Sequence, residues 1–558
     1  MKLFSSQSSI RSRYPLAIGA GLVLASAFPK LGIAGFAWVA PAFLVFAAGE
    51  SRGRERFKLG FVAGFTCWLA SLYWLLLIPV RPIEKFFPFL GWIALSAFAG
   101  LYHAVWVLLV RSPESKVLSR EKLRSTWSER NRFAVFGAVA WVGLEMIRAR
   151  LLTGFPWNPL GASQYELTPL INIASVTGVY GVSFLVVWMA LSLYDAAIVI
   201  LREPTRRFAW QGEIFLPLAV LITVFGIGFI KLKETSDRTG TDLRVAFIQP
   251  DISQRMIWNS SSDDSWFRGV LELTQHALSN ETDLVLWPEA GTPKLIRYDD
   301  EMRNKITDIA RAHGVWMILG SDDAEPARNP TSPKDADYFN SSFLINPQGE
   351  IVSRYCKRNL VIFGEYVPLV RWLPFIKWLT PITGGFKAGD RVVKFDFKHG
   401  KKQPGTPVHT ATLICFEDIF PHLVREYVDA DTDFLVNLTN NGWFGESAAQ
   451  WQHAAAAVFR AVENGVPLLR CSNNGLTCWV DEHGRIRQLL RTESGSVYGA
   501  GVMRAEIPIR AAAEKHVPTF YRTHGDWFGW ACVVITVLGT MRRIRASRTE
   551  VSVAAPSV

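Results

Sequence analysis

Three residues in the second half of the chain have side chains that together can carry out nucleophilic catalysis. Cys415 ends the apolar run 410–415, Glu289 follows the apolar run 284–287, and Lys357 lies between them in the sequence. A cysteine attacks only as its thiolate, so a carboxylate must accept its proton or a nearby ammonium must lower its pKa. Singly, Glu289 is as typical of a helix cap, and Cys415 and Lys357 are more typical of a core thiol and a solvated charge. Together they predict a catalytic centre in which Cys415 is the nucleophile.

The segment that carries these residues alternates short β-rich runs with helical stretches between residues 243 and 506, which predicts an α/β domain. Expected strands are 244–249, 284–287, 316–319, 342–346, 410–415, 434–438 and 468–472, and expected helices are 263–279, 302–312 and 448–463. Residues 347–350 and 482–485 are typical of hairpin turns. The candidate catalytic residues therefore lie at strand ends, where a rigid scaffold presents functional groups.

The remainder of the 558-residue chain has long apolar blocks with few charges, which indicates a membrane protein. With about 20 apolar residues per crossing, we expect an α-helical bundle of about eight spans. These are 15–29, 32–49, 59–80, 88–110, 133–149, 171–200, 214–231 and 525–541. The expected division is a transmembrane bundle over 1–231, an α/β catalytic domain over 232–520, and a last transmembrane helix with its tail over 521–558.

Lysine and arginine accumulate in alternate connections between the spans, as in 52–58 and 111–132. Cytoplasmic loops carry this excess, and eight spans with both termini in the cytoplasm fit every loop. Residues 232–520 then lie outside the cytoplasm, which in a bacterium is the periplasmic side of the inner membrane. The net charge of +11 comes mainly from these short clusters, so it does not indicate a nucleic-acid partner.

Four motifs, in order along the chain, resemble those of the nitrilase, or carbon–nitrogen hydrolase, superfamily. They are Trp-Pro-Glu-Ala at 287–290, Lys357 with Gly-Glu at 364–365, Cys-Phe-Glu-Asp at 415–418, and Asn-Leu-Thr-Asn-Asn-Gly-Trp-Phe-Gly at 437–445. With spans on both sides, nearly the whole chain resembles the apolipoprotein N-acyltransferase family of the bacterial inner membrane. Two departures are visible: Phe416 stands where a tyrosine is frequent, and Ile362 replaces a frequent proline.

This resemblance implies a four-layer αββα sandwich and a triad of Glu289, Lys357 and Cys415. It suggests supporting or substrate-binding roles for a further set, which is Glu365, Glu417, Trp258, Asn440, Trp443 and Phe416. It also implies a phospholipid as acyl donor, with phosphatidylethanolamine expected, and a diacylated apolipoprotein as acceptor. The acyl chain would pass to the α-amine of the N-terminal diacylglyceryl-cysteine.

The expected mechanism has two steps. Glu289 takes the thiol proton, Cys415 attacks the donor ester, and Lys357 stabilises the oxyanion together with a backbone N–H near residue 416. Glu289 then protonates the leaving lysophospholipid and later accepts a proton from the attacking amine. No metal cluster and no Gly-rich phosphate loop is found in the sequence, so no cofactor and no metal are expected. His453 has no evident metal partner and is expected to be structural.

Two segments are candidates for the wall of the substrate pocket. In 366–381, a loop broken by prolines contains Trp372, Phe375, Ile376 and Trp378. Tryptophan rings suit the lipid–water interface, so we hypothesise an arm that dips into the membrane over the active site. An ordinary packed helix is an equally good interpretation. In 439–445, Trp443 is expected to pack on the substrate, although a Gly-rich turn held by asparagine side chains has the same pattern.

Three other functions fit parts of the pattern. A membrane-tethered amidase or nitrilase would use the same triad with water as acceptor, and it should turn over amides without phospholipid. A lipoprotein-binding protein on a degenerate nitrilase fold predicts a damaged triad, and the triad is intact. A transporter would account for the many spans, but Glu145, close to Arg148, is the main carboxylate expected within them.

Overall fold

A computed structural model describes residues 13–113, 125–202, 208, 210–233, 241–327, 335–368, 385–399, 405–511 and 517–553. The chain divides into two compact units. The first comprises Met1–Tyr73, Leu90–Lys233 and His524–Val558, and the second comprises Trp74–Phe89 and Glu234–Thr523. A short stretch of the N-terminal half therefore belongs to the same unit as the α/β domain.

The helices of the described residues are numbered in chain order. They are α1 Arg13–Ser26, α2 Ala40–Ala48, α3 Gly53–Ser71, α4 Phe86–Leu109, α5 Trp127–Arg148, α6 Thr168–Ile171, α7 Ala174–Thr177, α8 Val179–Arg202, α9 Gln211–Lys233, α10 Gln254–Ile257, α11 Asp263–Ala277, α12 Asp300–His313, α13 Pro421–Val424, α14 Ala449–Asn464, α15 Phe520–His524 and α16 Trp527–Val553. The helices α1 to α9 and α16 supply most of the first unit.

Among the described residues, three helices are long and apolar enough to cross a membrane: Phe86–Leu109, Val179–Leu201 and Gln211–Lys233. The other helices of the first unit are shorter or carry more charges. With 14 residues, α1 is short of the length that a crossing needs. The eight-span count stays a prediction.

The helix α3 ends at Ser71, whereas the sequence indicated one span over residues 59–80. The reason lies in Trp74, which begins the second unit's N-terminal stretch. Its indole N–H donates to Gln452 at 3.2 Å, and its ring packs edge-on against Phe444 with centroids 4.6 Å apart. These contacts within the second unit direct the chain away from a continued α-helix.

Small residues allow α3 and α4 to pack closely within the first unit. A Cβ atom placed at Gly64 would lie 2.6 Å from the Cβ of His103 and 2.9 Å from the carbonyl oxygen of Gly100. A Cβ atom at Gly100 would lie 2.9 Å from the backbone nitrogen of Phe65. Any larger side chain at either glycine would separate the helices, which is the usual role of glycine between membrane helices.

Glu145 and Arg148 join α5 to the segment that follows it. One carboxylate oxygen of Glu145 accepts hydrogen bonds from the Trp141 indole at 2.8 Å and from the backbone N–H of Leu160 at 2.7 Å. The Arg148 guanidinium donates to the carbonyl of Trp157 at 2.7 Å. The two charges are thus used to anchor backbone within the first unit.

The strands are β1 Asp242–Gln249, β2 Leu284–Leu286, β3 Trp316–Pro326, β4 Ala336–Ile345, β5 Ile351–Cys356, β6 Lys394–His399, β7 Thr406–Ile414, β8 Phe434–Thr439, β9 Leu468–Ser472, β10 Cys478–Val480, β11 Ile486–Leu489 and β12 Gly501–Pro508. All seven strands expected from the sequence are confirmed. The strands β5, β6, β10, β11 and β12 were not expected. In β5 buried and exposed residues alternate weakly, and β10 and β11 have only three and four residues. In β6 and β12 buried residues do alternate with more exposed ones, and the sequence analysis missed this pattern.

The strands form two mixed sheets of the same plan. In the described residues the orders are β12-β1-β2-β3-β4-β5 and β11-β10-β9-β8-β7-β6. The parallel strands β1, β2 and β3 lie inside the first sheet, and β7, β8 and β9 lie inside the second. All other pairs are antiparallel. The carboxyl ends of the parallel strands therefore meet at one edge of each sheet.

The two sheets pack face to face between helices. The thiol of Cys471 on β9 lies 3.4 Å from the carbonyl of Ile248 on β1 and 3.3 Å from that of Leu286 on β2. On the outer face of the first sheet, α11 and α12 contribute Phe267, Val270 and Ile306 to a buried cluster with the strands. The expected α/β domain is confirmed, and the structure shows that both of its sheets are mixed.

Candidate active site

Each of the three candidate catalytic residues directly follows the end of a strand. Glu289 comes three residues after β2, Lys357 immediately after β5, and Cys415 immediately after β7. The backbone of Cys415 has φ 51°, in the left-handed region that favours glycine. A non-glycine residue in this region costs of order 1 kcal/mol, so the surrounding hydrogen bonds must hold it there. Such a turn directs the side chain of Cys415 away from the line of its strand.

The Lys357 ammonium lies between two carboxylates. Its Nζ donates to Oε1 of Glu365 at 2.8 Å and to Oε1 of Glu289 at 3.3 Å. The side chain is 1% exposed. Burial disfavours the ammonium, but Glu289 and Glu365 outweigh it and hold the pKa of Lys357 well above its usual value. Lys357 is therefore positively charged at neutral pH.

Asn340 on β4 connects the same two carboxylates, and the sequence did not single it out. Its side-chain Nδ2 donates to Oε1 of Glu289 and to Oε1 of Glu365, each at 2.8 Å. Its backbone carbonyl accepts from the Lys357 N–H at 2.8 Å. In the sequence, Asn340 is marked only by its position just before the apolar run 342–346. An asparagine at that position is equally typical of a residue that ends a strand, so it did not indicate a role in the site.

The second oxygen of Glu289 binds the turn that follows β8. Oε2 accepts from the backbone N–H of Asn440 at 2.8 Å. The Asn440 side chain donates to Gln254 at 3.0 Å and accepts from Gly442 at 3.1 Å and from Asn473 at 3.0 Å. Because both of its oxygens are hydrogen-bonded, the Glu289 carboxylate is held in one orientation.

The Cys415 thiol is a weak acid in this environment. Burial and, next, the negative charge of Glu289 raise its pKa to about 12, while the Lys357 ammonium opposes the shift. The thiol therefore lies close enough to Glu289 and to Lys357 for both charges to shift its pKa. At neutral pH the thiol therefore keeps its proton until a base removes it. Of the two carboxylates bound to Lys357, Glu289 has the larger effect on the thiol pKa, which favours Glu289 as that base.

Glu417 is fully buried and organises the loops around the nucleophile. Oε1 accepts from the Tyr355 hydroxyl at 2.7 Å and from the backbone N–H groups of Arg358 and Asn359 at 2.8 and 3.1 Å. Oε2 accepts from the N–H of Ile414 at 2.7 Å. Burial raises the pKa of Glu417, and these donors oppose the shift. The carboxylate thus ties the residues after β5 to the end of β7.

A buried network of charged and polar side chains contacts the backbone of Cys415, and the sequence did not predict it. Asp418 accepts from His453 Nε2 at 2.6 Å and from Arg470 at 2.7 Å, and none of its surface is exposed. His453 Nε2 also lies 3.2 Å from the carbonyl oxygen of Cys415. Burial and, next, Arg470 lower the pKa of His453, so its ring is neutral near pH 7. The network therefore holds the backbone of Cys415 in place.

The aromatic candidates lie at the periphery. Trp258 and Trp443 pack edge to face with centroids 5.1 Å apart, and Trp258 is half exposed. Trp443 lies three residues after Asn440, whose backbone N–H binds Glu289. Phe416 packs edge-on against Phe420 at 5.1 Å. The aromatic residues of the expected arm, in 366–381, fall almost entirely within 369–384, outside the described residues.

The structure thus brings Glu289, Lys357, Glu365 and Asn440 into direct contact, with Cys415 in electrostatic range. Within the described ranges, no group of three or more His, Cys, Asp and Glu side chains is arranged to hold a metal ion.

Two protein families match the chain in sequence. The apolipoprotein N-acyltransferase N-terminal domain matches residues 20–192, and the carbon–nitrogen hydrolase domain matches residues 244–509. The apolipoprotein N-acyltransferase of Geobacter metallireducens is 34% identical over 534 residues, which are 94% of this chain and 94% of that protein. The apolipoprotein N-acyltransferase of Rickettsia prowazekii is 30% identical over 77% of this chain and 79% of that protein.

Among solved structures, the chain is similar to an amidase of the nitrilase superfamily from Nesterenkonia AN1. The match has 16% identity and a TM-score of 0.34, and it covers 48% of this chain and 92% of that chain.

Proposed function

The chain belongs to the apolipoprotein N-acyltransferase family, and on that basis we propose that it moves an acyl chain from a phospholipid to a lipoprotein through a thioester on Cys415. The acceptor is the α-amine of an N-terminal diacylglyceryl-cysteine, and phosphatidylethanolamine is the proposed donor. The observation that carries the proposal is the Lys357 ammonium, buried between Glu289 and Glu365 in electrostatic range of the Cys415 thiol.

In the first step, Glu289 removes the proton from Cys415, and the sulfur attacks the carbonyl carbon of the donor ester. The negative charge that develops on the carbonyl oxygen is stabilised by the Lys357 ammonium, which the two carboxylates keep protonated. When the carbon–oxygen bond of the ester breaks, Glu289 returns its proton to the leaving lysophospholipid. The acyl chain remains on Cys415.

In the second step, the acceptor nitrogen attacks the thioester carbonyl. Glu289 takes a proton from this nitrogen and delivers it to the sulfur as the carbon–sulfur bond breaks. Asn340 and the N–H of Asn440 keep the Glu289 carboxylate in position for both transfers. Glu289 thus ends each half of the cycle in the form in which it began it.

A lipid substrate fits a chain with membrane-spanning helices. The supporting observation is α9, whose large apolar side chains, including Phe215, Ile222 and Phe229, are exposed as a lipid-facing helix requires. We place the chain in the bacterial inner membrane with both termini in the cytoplasm. In this proposal residues 232–520 form the periplasmic catalytic domain, between the bundle 1–231 and the terminal helix and tail 521–558.

Water must be kept from the thioester, or the enzyme would hydrolyse its donor. The aromatic pair of Trp258 and Trp443 supports a pocket wall that excludes water from an acyl chain. The segment 366–381 is proposed as a membrane-dipping arm over this pocket. If serine at both Trp372 and Trp378 leaves turnover of the lipid donor intact, the arm proposal is wrong.

The decisive experiment is the intact mass of the detergent-purified full chain after incubation with phosphatidylethanolamine and no acceptor. A mass increase of one acyl group, removed by hydroxylamine and absent from Cys415→Ala, is the expected result. A folded protein that gains no acyl group contradicts the proposal and favours the amidase alternative, which is then tested with small amides in the absence of phospholipid.

A further inference from the structure

Asp322 is a carboxylic acid that the triad chemistry does not use, and it borders the triad. Its neighbour in the sequence, Asp323, lies on the opposite face of β3, where Arg297 and Arg354 pair with it. Asp322 is the cross-strand partner of Asn340 in the antiparallel β3–β4 register. Side chains of such partners share one face of the sheet, with their Cβ atoms about 5 Å apart. Asp322 therefore lies beside the amide that binds Glu289 and Glu365.

The loop that carries Glu289 packs against the face of β3 on which Asp322 lies. Gly320 precedes Asp322 by two residues, so its missing side chain would point to the same face. A Cβ atom at Gly320 would lie 2.7 Å from the Cα of Glu289. The N–H of Gly291 donates to the carbonyl of Gly320 at 2.9 Å. The loop after β2 therefore passes directly over this face, and Asp322 is the next residue along it.

The charged groups around Asp322 make it titrate near neutrality. Burial, Glu289 and Glu365 raise its pKa to about 7, Lys357 opposes the shift, and Asp323 adds to it. On β4, the same face presents Asn340, which is neutral, and the phenol of Tyr338. No described residue donates a hydrogen bond to the Asp322 carboxylate. Asp322 is thus an acceptor with open positions beside the triad.

In the proposed acyl transfer, the acceptor nitrogen must lose two protons, and Glu289 takes only one of them. An α-amine has a pKa of about 7.7–8.0 and arrives mainly as an ammonium ion, which cannot attack a thioester. Glu289 accounts for only one of the two protons that the nitrogen must lose, because it passes that proton to the Cys415 sulfur. A second base is needed for the first proton, and it must be ionised while Glu289 is also ionised.

We propose that the Asp322 carboxylate binds the ammonium of the acceptor and takes its first proton. This assignment rests on the proposed acyl transfer. The ionised carboxylate and the ammonium give a carboxylic acid and a free amine, and the nitrogen then forms its bond to the acyl carbon. The carbon–sulfur bond breaks, and Glu289 carries the second proton from nitrogen to sulfur. Asp322 releases its proton to solvent, so each turnover yields one amide, one thiol and one proton.

The test separates the two half-reactions in the full-length protein in detergent. Acyl-enzyme is first formed with phosphatidylethanolamine, and a diacylglyceryl-cysteine peptide is then added in a single turnover. In Asp322→Asn, acyl-enzyme should form within about twofold of the parent rate, which also shows that the variant is folded. Transfer to the peptide should slow by at least about tenfold near neutral pH. It should recover as the pH rises and the peptide amine loses its proton unaided.

Two comparisons test whether slower transfer in Asp322→Asn is due to the loss of the base that takes the first proton from the acceptor ammonium. Hydroxylamine is uncharged at neutral pH and needs no such base, so it should release the acyl group from the parent and from Asp322→Asn at equal rates. Glu325→Gln removes a carboxylate from the opposite face of the same strand, where it pairs with Arg354. This control should transfer to the peptide as the parent does.

Several results would overturn the assignment. Equal transfer to the peptide by Asp322→Asn and the parent at every pH would remove Asp322 from the reaction. Equal slowing of hydroxylamine, slow acyl-enzyme formation in Asp322→Asn, or the same defect in Glu325→Gln would assign the carboxylate a structural role. A parent that forms no acyl-enzyme at all contradicts the proposed function, and this outcome is seen before any amine is added.

Discussion

The side-chain nitrogen of Asn340 donates to Glu289 and to Glu365 at the same distance, 2.8 Å. One neutral group thereby fixes the spacing of the two carboxylates that hold Lys357. Without it, Oε1 of Glu289 and Oε1 of Glu365 would be linked through the Lys357 ammonium. The precision of the triad therefore depends on a residue that takes no part in the chemistry.

Asn340→Ala should lower the rate of acyl-enzyme formation by about tenfold to a hundredfold. A tenfold to hundredfold loss of rate corresponds to about 1.4–2.7 kcal/mol, which is about the cost of losing one hydrogen bond to a buried charged group, here the bond to Glu289. The rate is measured by intact mass over time with phosphatidylethanolamine. Asn346→Ala is the matched control, because Asn346 follows the same strand and its amide donates to Glu350 in the turn, at 2.8 Å. An unchanged rate in Asn340→Ala would show that Lys357 alone positions the carboxylates.

Glu289→Gln should make the Cys415 thiol more acidic while abolishing acyl transfer. The negative charge of Glu289 raises the thiol pKa, and the Lys357 ammonium lowers it. Glu289→Gln removes the first effect and leaves the second, so the thiol pKa should fall. A fall of one pKa unit increases the thiolate fraction about tenfold at any pH below the thiol pKa. The measurement is the rate of alkylation of Cys415 by iodoacetamide as a function of pH, followed by peptide mass.

Cys415→Ala identifies the modified peptide in that experiment, since Cys356 is also partly accessible. Slower alkylation in Glu289→Gln than in the parent would contradict the expectation. It would mean that Glu289 already withdraws the thiol proton in the resting protein.

Asp418→Asn should destabilise the protein by about 3–5 kcal/mol, because it leaves the buried Arg470 without its carboxylate. Both side chains are fully buried, and the described partners of Arg470 other than Asp418 are neutral. The measurement is the thermal midpoint of the purified protein in detergent. Asp431→Asn, on the exposed turn before β8, should leave the midpoint unchanged. Equal midpoints for Asp418→Asn and the parent would show that the network contributes no net stability.

Asp322→Asn should raise stability at neutral and alkaline pH and have no effect in acid. The pKa of Asp322 is raised from 3.8 to about 7, so between these values the unfolded chain is ionised while the folded chain keeps the proton. The unfolded state then binds fewer protons, and stability falls as the pH rises through this window. The full difference is at most about 4 kcal/mol above pH 7. Thermal midpoints of parent and variant at a series of pH values test it, and equal curves would contradict the raised pKa.

Local pattern was enough to place the main chemical groups on the fold. Cys415 and Glu289 each follow a short apolar run, and runs of four to six such residues bounded by turn signals are typical of buried strands. The seven expected strands and three expected helices of the α/β domain are present for that reason. Lys357 follows β5, whose sequence Ile-Val-Ser-Arg-Tyr-Cys has no such pattern. The strand β11 was missed because it is short and has no buried residue. The strand β6 was missed although Phe395 and Phe397 alternate with exposed residues, because only two apolar residues mark it.

The membrane part could be predicted only in outline. Apolar blocks indicate that helices cross a membrane, but their ends depend on what the chain meets next. The helix α3 ends at Ser71 because Trp74 contacts Gln452, a residue 378 positions later, and no periodicity within residues 59–80 contains that information.

The sequence by itself determined which residues are the candidates for the chemistry, because strand-forming runs and the order of the motifs are local properties. Only the tertiary structure decided how those residues are held. Asn340 shares a face of the sheet with Asp322 because of the register between β3 and β4, and a slip of β4 by one residue would turn Asn340 to the other face. Register is set by packing across the whole domain, and therefore no short stretch of sequence can express it.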